Sequence, residues 1–133
     1  MPTLNVTVIG DPVPEDRKRV LQRRLTDVMV SALGRTRKLV VVSVSTSPAE
    51  DWAVGGEAVE GPGFVGIQVT VRVLAGTNSD EQKARMISET TAILREELGE
   101  PVLPLYVTFD EILPTAWGYN GRTVAELSAP KAA

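Results

Sequence analysis

The sequence predicts an α/β (α+β) fold built twice: two tandem β-α-β units giving one four-stranded, mainly parallel or mixed sheet with two helices on one face. Three observations predict it. First, matched residues recur 65 positions apart: Trp52 and Trp117, Leu33-Gly34 and Leu98-Gly99, Gly56 and Gly121, with Val41 and Tyr106 at the same offset inside apolar runs. Second, Val65, Ile67, Val69, Val71 and Val73 alternate with other residues at the period of a strand. Third, two long segments carry apolar stripes at helical spacing. The expected layout is a single domain over residues 1–133, with repeats at about 2–60 and 65–127.

The elements follow in order. Residues 3–9 alternate apolar and polar and read as the first strand. A helix is expected over about 15–33, with Val20, Leu21, Leu25, Val28, Met29, Ala32 and Leu33 inward and Pro14 in its first turn. Gly34 is placed to end it. A return strand follows near 39–46. The second unit opens with a strand over 65–74 and a helix over about 80–98. Met86, Ile87, Thr90, Ile93, Leu94 and Leu98 of that helix should face inward, and Gly99 should stop it. Ser79 and Gln82 have capping-box spacing. The last strand is expected near 102–110. A strand–helix–strand unit of this length implies a parallel pair with a right-handed crossover. The face away from the helices would then carry Asn5, Thr7, Ser43, Ser45, Gln68, Thr70, Arg72, Tyr106 and Thr108. A parallel sheet seldom leaves a whole face in water, so a homo-oligomer is expected.

Composition narrows the chemistry. The 133-residue chain has a net charge of −3, which gives no basic field for nucleic acid. No apolar run approaches the roughly 20 residues that span a membrane, and the start lacks a signal-peptide pattern. A cytoplasmic location is expected. Cysteine and histidine are both absent, which removes thiol nucleophiles, disulfides, serine triads and the usual zinc and copper ligands. No cofactor is implied. The string Gly61-Pro62-Gly63-Phe64-Val65-Gly66 matches GxGxxG, but a strand follows it where a dinucleotide site needs a helix, so it reads as the link between the units. Asp110 and Glu111 are adjacent in a strand and should point to opposite faces, which rules against a paired-carboxylate site. Residues 128–133 read as a loose tail.

One group remains that could act as a base or nucleophile near neutral pH. Pro2 follows Met1 at the head of the first strand. Removal of Met1 would expose a secondary amine there. An α-amino group ordinarily titrates at about 7.7–8.0, and burial disfavours its charged form. The plain structural role of Pro2 is to begin a strand where a missing N–H costs little.

These residues resemble the tautomerase superfamily, whose members use an amino-terminal proline. The likeness rests on Pro2, the internal repeat, the helix start Ser79-Asp80-Glu81-Gln82-Lys83, and the turns Trp52-Ala53-Val54-Gly55-Gly56 and Trp117-Gly118-Tyr119-Asn120-Gly121. The fused layout is similar to malonate semialdehyde decarboxylase and its relatives. The resemblance implies a homotrimer of β-α-β units and a pocket around Pro2 completed by a neighbouring chain. It implies a small-molecule substrate and enol–keto isomerisation, with Pro2 as the general base. Arg35, Arg37, Arg72 and Arg122 are candidates to hold a substrate carboxylate, with Arg37 and Arg72 preferred because they lie near strand ends. Trp52, Tyr106 and Trp117 would supply apolar walls. The chain departs from the family pattern where Thr77-Asn78 follows Ala75-Gly76 in place of arginine, and where Val41 and Tyr106 replace a substrate-binding arginine. Two alternatives stay open: hydratase or decarboxylase chemistry on an unsaturated or 3-oxo acid, and a non-catalytic oligomeric binding or scaffold protein that kept the fold.

Overall fold

A computed structural model describes residues 2–128. Strand β1 (Thr3–Gly10) leads to helix α1 (Glu15–Leu33), a 3-10 turn at Arg37–Leu39 and strand β2 (Val41–Ser47). A hairpin of β3 (Ala53–Val54) and β4 (Glu57–Ala58) follows. The second unit repeats this order with β5 (Phe64–Leu74), α2 (Asp80–Leu98), β6 (Tyr106–Ile112) and the hairpin β7 (Gly118–Tyr119) and β8 (Arg122–Thr123). A short helix, α3 (Val124–Ser128), closes the described chain. Ser128, placed in the tail by the sequence reading, ends that helix; residues 129–133 lie outside the described residues.

The main sheet has the order β2-β1-β5-β6. Each unit contributes a parallel pair, β1 with β2 and β5 with β6, and the units meet through antiparallel β1 and β5. The sheet is therefore mixed, and the seam at its centre is what makes it so. Within the units the register repeats at the same offset of 65: Thr3 pairs with Val41, and Gln68 pairs with Tyr106.

Both helices cover one face. Leu4, Val6 and Val8 of β1 and Ile67, Val69, Val71 and Val73 of β5 pack into one core with Leu21, Leu25, Met29, Met86 and Leu94. Complete burial of a leucine such as Leu21 or Leu25 contributes about 1.5–3 kcal/mol. The central strands supply fully buried residues, whereas Val42, Val44, Val107 and Phe109 of the two edge strands are only partly covered. Ile87, expected inward, is exposed: the buried stripe of α2 runs through Met86, Thr90, Ile93, Leu94 and Leu98, and Ile87 falls to one side of it.

Local chemistry explains most boundaries. Ser79 accepts from the Gln82 backbone N–H, and the Gln82 side chain accepts from the Ser79 N–H, so α2 begins with a complete capping box. Pro14 sits one position earlier than expected, as the N-cap of α1 without a side-chain cap. Gly34 takes the left-handed helical conformation at the end of α1, whereas Gly99 ends α2 at a positive φ of 86° with ψ at 176°, outside that region. Both return strands start later than the sequence suggested. Arg37–Leu39 coils into its own 3-10 turn, and the stretch with Pro101 and Pro104 cannot supply a full set of ladder donors. The linker holds by a reciprocal lock: the Asp11 N–H donates to the Gly63 carbonyl at 3.1 Å, and the Gly63 N–H donates to Asp11 Oδ2 at 3.0 Å. Among the described residues, no helix is long and apolar enough to cross a membrane.

Candidate active site

Pro2 stands one residue before β1 and is buried. Its carbonyl accepts a hydrogen bond from the Val41 N–H at 3.1 Å, which fixes it against the start of β2. Along β1 the side chains alternate, and Leu4, Val6 and Val8 belong to the helix-side core. Pro2 shares their parity and lies on the helix side of the sheet end. The pairings Thr3 with Val41, Thr3 with Arg72, and Arg72 with Asp110 put the starts of β1 and β2 beside the ends of β5 and β6. The site end of the sheet is built from these four termini.

Each expected site residue can now be placed. Arg72 lies on the helix-free face of the Pro2 end and pairs with Asp110 at 3.6 Å. Glu111, one residue on, pairs with Lys83 of α2 at 2.5 Å, so the two acids do point to opposite faces. The Glu111 hydrogen bond is the main cause that raises the Lys83 pKa. Arg37 occupies the 3-10 turn, outside any strand, and donates to Asp27 Oδ1 at 2.5 Å. Arg122 belongs to the second hairpin and pairs with Glu126 at 3.6 Å. Trp117 is half-buried in the loop after β6, at the Pro2 end, and its carbonyl accepts from the Val124 N–H. Trp52 follows β2 and Tyr106 begins β6, so both belong to the opposite sheet end. Trp52 donates to Ser47 Oγ at 2.8 Å. Tyr106 pairs with Gln68, and its side chain is 58% exposed. Within one chain, then, Pro2 does not meet Trp52 or Tyr106.

Arg35 is placed differently from the other candidates. It follows Gly34 directly and reaches the connection between β5 and α2, where its Nη2 donates to Thr77 Oγ1 at 2.6 Å and to Asn78 Oδ1. Asn78 Nδ2 in turn donates to the Leu33 carbonyl and to Gln82 Oε1, each at 3.1 Å. Burial lowers the Arg35 pKa from its usual value, because the guanidinium loses water. Thr77 and Asn78 were not singled out as site residues from sequence. Their signal was a break in the repeat: shifting by 65 puts Glu100 at the place of Arg35 and Val13 at the place of Asn78.

A groove of about 310 Å³ lies elsewhere, between the middles of α1 and α2, lined by Arg24, Val28 and Asp27 and their counterparts Glu89, Ile93 and Ala92. It opens to solvent on the helix layer. The Glu96 and Glu97 hydrogen bonds raise the pKa of Arg24 on its rim. No group of three or more potential metal ligands gathers among the described residues.

A model of the family described as tautomerase enzyme matches residues 2–61 and 68–126, one match for each unit. The chain belongs to the tautomerase family. Relatives of this chain include the MIF-like protein mif-2 of Caenorhabditis elegans, 29% identical over 117 residues and covering 88% of each chain. "Probable tautomerase K2" of Dickeya dadantii (strain 3937) is 30% identical over 59 residues, which is 44% of this chain and 88% of that protein. That relative is about one repeat long. Among solved structures, "F6 fused 4-OT wild type asymmetric trimer" superposes with a TM-score of 0.82 at 26% identity, covering 96% of this chain and 99% of that chain.

Proposed function

We propose that the protein interconverts the enol and keto forms of a small carbonyl or keto-acid compound, with the Pro2 amine, freed by loss of Met1, as the general base. The observation that carries this reading is the position of Pro2: the head of a central strand, buried, and tied through its carbonyl to β2. A secondary amine there is held rigidly and kept from water, which favours its neutral form. It would take a proton from the enol hydroxyl and deliver it to the carbon that becomes saturated in the keto form. Proton transfer by a positioned group supplies about 10²–10⁴-fold in rate.

The reading extends to a homotrimer. A solved relative with the same fused layout is described as a trimer. The helix-free face exposes Val41 and Tyr106, and β2 and β6 are open sheet edges. Packing of that face against neighbouring copies would bring Trp52 and Tyr106 of one chain toward Pro2 of another, which a single chain does not do.

A second reading, a binding or scaffold protein, is favoured by one observation: Arg37, Arg72 and Arg122 all have carboxylate partners of their own. Two measurements separate the readings. Intact-mass analysis of the native protein should show Met1 absent. Ketonisation of enolic phenylpyruvate or 2-hydroxymuconate should fall at least about 10²-fold in Pro2→Ala with the fold retained. Full turnover by Pro2→Ala, or a retained Met1, sinks the general-base mechanism.

A further inference from the structure

The groove between α1 and α2 lies where the local twofold relating the two units crosses the helix layer. Its walls hold equivalent positions of the repeat: Arg24 with Glu89, Asp27 with Ala92, and Val28 with Ile93. Were the units two identical chains, both walls would carry the same residues. Fusion lifts that constraint, and the walls differ. The α1 wall holds one cation and one acid, Arg24 and Asp27, and ends in the neutral Ser31. The α2 wall holds two acids, Glu89 and Glu96, and no cation.

Most of these charges have partners. Arg24 reaches across to Glu96 Oε2 at 2.7 Å and to Glu97 Oε1 at 2.9 Å. Arg85 Nε donates to Glu89 Oε1 at 3.1 Å, and its Nη1 crosses to the Ser31 carbonyl at 3.3 Å. The two arginines thus tie α1 to α2 near the two ends of the groove. Glu89 Oε2 is the exception: it is buried, and no donor meets it among the described residues. A buried carboxylate oxygen without a donor is costly, and a cation seated in the groove would remove that cost. The groove also offers apolar surface. Val28 and Ile93 are 8% and 7% exposed, and Ala92 lies beside Ile93 on the same wall.

We propose that this groove binds a primary alkylammonium ion, whose head donates to Glu89 Oε2 and whose aliphatic chain lies on Val28, Ala92 and Ile93. An ammonium suits the site better than a guanidinium. Glu89 has one oxygen already taken by Arg85, so it presents no bidentate face, and an ammonium is a compact charge with three donors. A charged head on an aliphatic stem can cover apolar surface while its remaining donors meet water, which the open side of the groove allows. The volume of about 310 Å³ is at the small end of the range for ligand pockets, which suits a short chain. Asp27, Glu89 and Glu96 outnumber Arg24 and disfavour an anion.

Pentylammonium is the probe, titrated into the full chain at about pH 7, where the amine is charged, and followed by heteronuclear NMR. Saturable shifts should centre on the facing stretches of α1 and α2, with a Kd of about 10 mM or tighter. Pentanol, the uncharged analogue, should bind at least about tenfold more weakly. Glu89→Gln should weaken pentylammonium about tenfold or more. Ala92→Leu, at an exposed position, should block binding by filling the groove. Glu81→Gln, the same loss of charge at the exposed start of α2, should leave the Kd unchanged. Should Glu89→Gln fail to fold, Ala92→Leu decides. Four results would each overturn the proposal: equal binding of pentanol, equal weakening by Glu81→Gln, binding that survives Ala92→Leu, or no saturable shift below about 50 mM.

Discussion

Asn5 and Thr70 face each other across the seam between β1 and β5, and they are the two residues that the repeat makes equivalent. The local twofold of the fused chain passes through this pair. It exchanges the row Val41, Thr3, Arg72, Asp110 with the row Tyr106, Gln68, Thr7, Ser45 at the other sheet end. The fold thus offers two equivalent ends, and only one receives a chain terminus.

That asymmetry sets the pH dependence. If the base is the neutral Pro2 amine, kcat/KM should rise with pH along an acid limb and then level off. The midpoint should lie below the value the same amine has in water, because burial disfavours the protonated form. The limb should be lost in a protein that retains Met1, whose peptide bond removes the titrating group. A profile flat from pH 5 to 9 in the processed protein would contradict an amine base.

The exposed helix-free face should be an interface. Val41 and Tyr106 are each 58% exposed in the single chain. The double variant Val41→Asp with Tyr106→Asp should shift light-scattering mass from three times toward one times the 14.3 kDa chain mass, with far-UV circular dichroism retained. An unchanged assembly would show that this face does not join subunits.

Gly10 has a φ of +128°, and a Cβ there would meet the Gly63 carbonyl oxygen at 2.2 Å. That atom accepts the Asp11 N–H, so the clash strikes the linker lock directly. Gly10→Ala should destabilise the fold by about 1–3 kcal/mol in urea unfolding. A change below about 0.5 kcal/mol would show that the linker yields freely.

Ser79→Ala removes one half of the α2 capping box and should cost about 1 kcal/mol. The same unfolding assay measures it. Gln82→Ala should be partly non-additive with it, since the two side chains close one reciprocal pair.

Local pattern carried a large share of the fold. The limits of α1 and α2, the alternation of β5 and the Ser79–Gln82 cap follow from side-chain period and short-range hydrogen bonding, which a linear sequence displays. The two hairpin turns belong with them. Gly55-Gly56 and Asn120-Gly121 all take positive φ, as two-residue hairpin loops require. The second halves of the repeats were less legible, since Arg37–Leu39 and the prolines before β6 shift the strand starts through turn geometry that hydropathy does not encode.

By itself the sequence determined that there are two β-α-β units, where their helices begin and end, and that Pro2 heads the first strand. Only the tertiary structure decided that β1 and β5 meet antiparallel, that Trp52 and Tyr106 belong to the end away from Pro2, and that Arg35 bonds to Thr77 and Asn78 where Arg37, Arg72 and Arg122 pair with carboxylates. The reason is physical. Period and capping are set by neighbours along the chain, whereas the seam, the partition of the sheet ends and the fate of a charge depend on segments some 40–70 residues apart coming together, and nothing in local spacing specifies which of them will meet.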